Sequence, residues 1–118
     1  DISSLTLVGH SGGGVLALLL AERVLRTNEV IALSTPVDIV AWTELHGYTR
    51  LFASHNPVHQ AGWRAGVQRS FYFGEVDQQV PPSHFVLPAQ AVPGAQVTVV
   101  KGIGHDCCGP DIWLNNSH

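Results

Sequence analysis

The stretch Leu5-Thr6-Leu7-Val8-Gly9-His10-Ser11-Gly12-Gly13-Gly14, which runs on into the apolar residues 15–21, decides how the chain is read. Strand-forming residues lead into Gly-His-Ser-Gly-Gly, and a long apolar helix leaves it. This is the G-x-S-x-G pattern in a strand–turn–helix setting. A serine at the tip of such a turn needs an unusual backbone conformation. Glycines two before and two after it let strand and helix backbones pass close together. The turn lifts Ser11 Oγ above a sheet. It also aims the Gly12 N–H, at the helix N-terminus, toward an oxygen bound beside the serine. Alone the motif is weak, because a glycine-rich turn of any α/β domain, including one that binds phosphate, has the same pattern. The rest of the chain has to decide.

Composition sets the bounds. At 118 residues the chain is one domain or part of one. Its 45% apolar content suits a buried core, and 13% charged residues is low. A net charge of −3 and a pI near 6.1 give no basic surface for nucleic acid or an anionic membrane. No apolar run reaches the roughly 18 residues of a membrane span, and no signal peptide is visible. The chain begins at Asp1 and has no methionine, so the expectation is a processed product or a fragment.

The first unit reads β–turn–α. The strand covers residues 2–8, from Ile2 to Val8, and its near-continuous apolar run fits a parallel strand buried on both faces. The helix covers residues 12–25, apolar nearly all round to Ala21, so it should be covered on several sides. Glu22, Arg23 and Arg26 mark its wetter end, and Thr27-Asn28 its stop. A second strand follows at residues 30–34 and ends at Pro36. Asp38 lies just past that strand, where open parallel sheets place functional residues. The ordinary reading of Asp38, and the one preferred, is the N-cap of a helix over 39–45.

Residues 46–68 are the least regular. Tyr48, Leu51, Phe52 and Trp63 sit among glycines and Pro57, as a pocket-lining connector or as an ordinary surface connection. His55 and His59 are four apart, but Pro57 between them weakens any helix that would pair them on a metal, so no metal site is assigned. No cofactor is implied either.

A third strand over 70–73 runs into Gly74-Glu75-Val76-Asp77-Gln78-Gln79-Val80-Pro81, which puts Asp77 at the C-terminal rim of the sheet. A helix over 82–91 follows, disturbed by Pro88. The fourth strand, 96–100, leads to Lys101-Gly102-Ile103-Gly104-His105, a flexible loop that carries His105 back over the rim. A last helix begins near residues 111–114. Ser11, Asp77 and His105 thus each follow a strand, at one edge of a parallel sheet. That order is the one that accompanies a G-x-S-x-G turn. The three residue types fit one chemistry. A serine hydroxyl is a weak nucleophile, so His105 accepts its proton. Asp77 holds the imidazole tautomer and stabilises the imidazolium. Asp38 is the alternative acid.

On Gly9-His10-Ser11-Gly12-Gly13, residues 74–81 and Gly104-His105, the chain resembles the C-terminal half of an α/β-hydrolase, over nearly its whole length. Residues 41–47, Asn56-Pro57 and His105-Asp106-Cys107-Cys108 are similar to an uncharacterised group of bacterial α/β-hydrolases, with His55 and Gly109 standing where that group tends to have leucine and tryptophan. The resemblance implies an α/β fold of about four parallel strands with flanking helices, lacking the family's N-terminal strands and the loop that gives a second oxyanion N–H. It implies a serine hydrolase acting on a small-molecule carboxylic ester through an acyl-Ser11 intermediate, weak or inactive as this chain alone. Gly12 N–H would then be the main-chain oxyanion donor. An acyltransferase or thioesterase on the same triad, or a non-catalytic scaffold, stays open. An exported or periplasmic parent fits the resemblance. With nothing before it, the strand from Ile2 to Val8 would be an apolar edge that invites self-association. Cys107 and Cys108 are adjacent, so they form a strained disulfide, stay as buried thiols or pair elsewhere, with thiols preferred.

Overall fold

The computed structural model describes residues 4–46, 57, 62–105 and 113. The elements are β1 (Leu5–His10), α1 (Gly12–Leu20), β2 (Thr27–Leu33), α2 (Ile39–His46), β3 (Gln68–Gly74), α3 (Pro82–Gln90) and β4 (Ala95–Val100). The strands form a single four-stranded sheet in the order β1-β2-β3-β4, and every pairing is parallel. Each strand is therefore joined to the next by a crossover, and all four C-terminal ends lie at one edge. The fold expected from the sequence is the one found.

Register divides the sheet into two faces, because partners across a parallel pair point the same way. Val30 and Ala32 of β2 stand opposite Arg69 and Phe71 of β3, and Phe71 stands opposite Val97 of β4. This face carries the main core, where Val30, Ala32, Phe71 and Phe73 meet Ala17, Leu18 and Ala21 on one side and Phe85, Ala89 and Val92 on the other. The second face holds a smaller cluster in which Leu33, Val100 and a fully buried Trp113 pack with Ile31, Tyr72 and Ile103.

Several sequence expectations need correction. The strand expected to be buried on both faces is not: no residue of β1 is fully buried, and its residues alternate half-buried and exposed, in keeping with the edge position also expected for it. The strand with nearly every residue buried is β3. Helix α1 buries Gly14, Val15, Ala17 and Leu18 but leaves Leu16 and Leu20 exposed, so it is covered on one side only. It ends at Leu20, not near Leu25, and Thr27-Asn28 opens β2 rather than stopping the helix. Pro88 lies inside α3 without ending it, and Pro82 occupies the first turn, where a missing N–H costs nothing.

Glu22 is not a wet helix end. Its Oε2 lies 3.0 Å from Nη2 of Arg69, and the Arg69 side chain is 1% exposed. Arg69 also donates to the carbonyls of Pro93 and Arg64, at 2.7 and 3.0 Å, and its guanidinium lies over the Trp63 ring. Arg64 in turn donates to the carbonyls of Ala21, Val24 and Leu25, in the connection that follows α1, and of Thr27, the first residue of β2. Two arginines thus tie α1, the segment entering β3 and the α3–β4 turn together at the edge opposite the strand C-termini. His55 and His59, to which no metal site was assigned, the cysteines Cys107 and Cys108, and Tyr48, Leu51 and Phe52 lie outside the described residues.

Candidate active site

Ser11 stands between β1 and α1 with φ 55° and ψ −121°, a left-handed conformation that side chains rarely adopt. Such a residue costs about 1–3 kcal/mol and persists only where its surroundings hold it. Here its N–H donates to Leu33 O at 2.8 Å, and its carbonyl accepts from Gly14 N–H at 3.0 Å. The turn is therefore anchored to the end of β2 and to the first turn of the helix.

Steric demand at the turn falls on Gly9 and Gly14. A Cβ on Gly9 would stand 2.2 Å from Gly13 O, so strand and helix backbones do pass as closely as the motif requires. A Cβ on Gly14 would meet Thr35 Oγ1 at 1.8 Å. Gly13, the second glycine of the motif, has open space among the described residues, as does Gly12. The expectation that both flanking glycines must lack side chains is thus corrected: Gly13 lends its backbone to the crowded contact, and Gly14 supplies the second steric need. Gly12 is the first residue of α1.

Asp77 lies in the turn after β3 and is 3% exposed. Its Oδ1 accepts from the Gln79 and Val80 N–H groups, both at 2.8 Å. Its Oδ2 stands 2.9 Å from Nδ1 of His105. A carboxylate already engaged by two backbone donors only accepts, so Nδ1 carries a proton, and in the neutral ring the lone pair is on Nε2. The loop bearing His105 lies against the end of β3. Val76 N–H donates to Ile103 O at 3.2 Å, and Gly102 N–H donates to Glu75 Oε1 at 3.0 Å. Gly74 makes this approach feasible, since a Cβ there would fall 2.2 Å from Ile103 O.

The structure thus joins Asp77 to His105, and it places Ser11 at the same sheet edge. Among the described residues the Ser11 hydroxyl makes no hydrogen bond. The carboxylate at His105 Nδ1 is Asp77 and not Asp38, whose Oδ1 accepts from the N–H of Ala41, the third residue of α2, at 3.1 Å, as a helix cap does.

Sequence reading missed three residues around this pair. His10 Nε2 donates to the carbonyl of His105 at 2.6 Å, and the two rings lie 5.0 Å apart. Trp42 Nε1 and His46 Nε2 both donate to Gln79 O, at 2.9 and 2.6 Å, so α2 grips the turn that carries Asp77. The only signal for the last two was their spacing of four on one helix, which brings side chains together on one face. Nothing in the sequence signalled His10, because its partner lies 95 positions away. Among the described residues no cluster of three or more His, Cys, Asp and Glu side chains is arranged to hold a metal, and no helix is long and apolar enough to cross a membrane.

No protein-family model matches the chain, and no curated protein matches it. Solved structures do. The chain is similar to MGS-MChE2, an α/β hydrolase enzyme from the metagenome of sediments of the Mar Chica lagoon, Morocco, with TM-score 0.65 and 19% identity over 87% of this chain and 53% of that one. It is similar to the esterase domain of a Rhodothermus marinus protein, with TM-score 0.66 and 17% identity over 85% of this chain and 52% of that one. It is also similar to α/β hydrolase domain-containing protein 10 from mouse, with TM-score 0.64 and 18% identity over 86% of this chain and 54% of that one. The chain spans about half the length of these structures. Across its four parallel strands and their flanking helices, the chain has part of the α/β-hydrolase fold.

Proposed function

We propose that the chain carries the catalytic half of a serine hydrolase that cleaves small carboxylic esters through an acyl-Ser11 intermediate. The observation that carries this reading is the Asp77–His105 hydrogen bond, which leaves His105 Nε2 as a base at the edge where Ser11 sits on its strained turn. His105 Nε2 takes the Ser11 Oγ proton as Oγ adds to the ester carbonyl carbon. The resulting oxyanion faces the N-terminus of α1, where Gly12 N–H is the assigned donor. His105 then returns the proton to the departing alkoxide, which leaves as the alcohol. Water repeats the sequence on the acyl-serine and releases the acid. Asp77 stabilises the imidazolium that forms at each step. No metal and no cofactor enters this scheme.

The similar structures described as an α/β hydrolase enzyme and an esterase domain support the reading as analogy of fold. The test is a p-nitrophenyl ester assay coupled to intact mass. Because the chain spans about half the length of the similar structures, its turnover should be weak, and the expected outcome is slow p-nitrophenol release with one acyl group trapped on Ser11, and neither in Ser11→Ala. Release that persists in Ser11→Ala at the wild-type rate contradicts the reading.

A further inference from the structure

We propose that His10 is a positioning residue that sets where His105 stands relative to Ser11; the inference rests on the serine-hydrolase reading above. β1 and β4 occupy opposite edges of the sheet. At about 4.8 Å per strand spacing, three spacings separate them by roughly 14 Å. The loop after β4 nevertheless reaches back so that His105 O accepts from His10 Nε2 at 2.6 Å, and His10 is the residue next to Ser11.

The holds on this loop divide into two sets. Glu75 Oε1, Val76 N–H and Asp77 Oδ2 bind Gly102 N–H, Ile103 O and His105 Nδ1, and all three come from the turn after β3. They fix the loop to the acid. They do not fix it to the nucleophile. Among the described residues His10 alone ties the loop to the serine turn, through the hydrogen bond and through ring contact at 5.0 Å. The loop needs that tie, because Gly102, at φ 74°, and Gly104 make its backbone easily redirected. A carbonyl only accepts, so His10 must carry a proton on Nε2, which it does as that neutral tautomer or as imidazolium. The tie therefore survives protonation of His10.

The test compares His10→Phe, which keeps a ring and loses the donor, with His10→Gln, whose Nε2–H stands the same number of bonds from Cα. The first readout is the rate at which a fluorophosphonate labels Ser11 in the full chain, with circular dichroism to confirm folding. The second is the NMR signal of the His105 ring, which does not depend on Ser11 reacting. Displacing a base by about 1 Å can cost on the order of 10²-fold, so His10→Phe should label ten- to a hundred-fold more slowly while His10→Gln recovers most of the rate. The His105 ring signal should shift or broaden in His10→Phe and return in His10→Gln. Labelling and ring signal both unchanged in a folded His10→Phe would overturn the proposal. If the wild-type chain does not label, the serine-hydrolase reading fails. The ring signal then decides the positioning claim, with a perturbed signal supporting it and an unchanged one overturning it.

Discussion

Asp77 divides its two carboxylate oxygens between two tasks: Oδ1 accepts from the backbone of its own turn, and Oδ2 stands 2.9 Å from His105 Nδ1. The first task aims the second. The Asx-type turn fixes the carboxylate plane, and the buried setting keeps water from competing for Oδ2.

Replacing Asp77 by Asn should therefore leave the fold and remove the chemistry. An amide at this position can present N–H to Nδ1 and impose the wrong tautomer, an effect worth on the order of 10⁴ in rate where it has been measured in serine hydrolases. The expected outcome is a loss of that order in Ser11 labelling rate with an unchanged circular dichroism spectrum. Asp38→Asn should label as the wild type does, because Asp38 caps α2. Asp38→Ala should cost about 1 kcal/mol in denaturant unfolding, the usual worth of a cap.

The two glycines of the motif should respond differently to alanine. Gly9→Ala drives a Cβ into Gly13 O, both backbone-borne and unable to step aside, so α1 must shift from β1. The expected loss is about 3 kcal/mol or more, read as a lower unfolding midpoint or as insoluble protein. Gly13→Ala meets open space among the described residues and sits in a helix, where alanine is the better former. Its midpoint should hold or rise. Equal destabilisation by the two would contradict the geometry.

How far the sequence could be read follows from these residues. The four strands, their parallel pairing and the sheet edge holding Ser11, Asp77 and His105 were legible, because local apolar patterning and turn glycines encode them, whereas the strand order was not read. The boundaries were less so. Thr27 and Asn28 look like a helix stop and instead begin β2, since pairing of Thr27 with Leu5 of β1 overrides their weak local preference. Glu22 looked solvated and is paired to a buried arginine 47 positions on, a contact no local pattern carries. The same applies to His10, whose polar character is visible in sequence while its partner is not.

That buried pair gives a stability prediction. Removing one member of a buried, hydrogen-bonded ion pair leaves the other charge uncompensated, at about 3–5 kcal/mol. Glu22→Ala and Arg69→Met should each lower stability by that order, because each strands the other charge, and Arg69→Met also strips the Pro93 and Arg64 carbonyls of a donor. Denaturant unfolding of both variants tests this. A Glu22→Ala protein as stable as wild type would mean that the pair adds nothing to this fold.

Among the described residues β1 has one unpaired edge, and Val8 on it is 48% exposed. An apolar edge strand recruits further strands. The chain should self-associate at tens of micromolar (about the range of light scattering), and Val8→Lys should shift it toward monomer. A monodisperse wild-type monomer would count against this.

The most direct test of the central claim is intact-mass detection of fluorophosphonate labelling on the chain, beside Ser11→Ala and His105→Ala. The account predicts a single adduct that maps to Ser11, none on Ser11→Ala, and a severely slowed reaction on His105→Ala. No adduct on the wild-type chain, or one that persists when Ser11 is replaced, would contradict it.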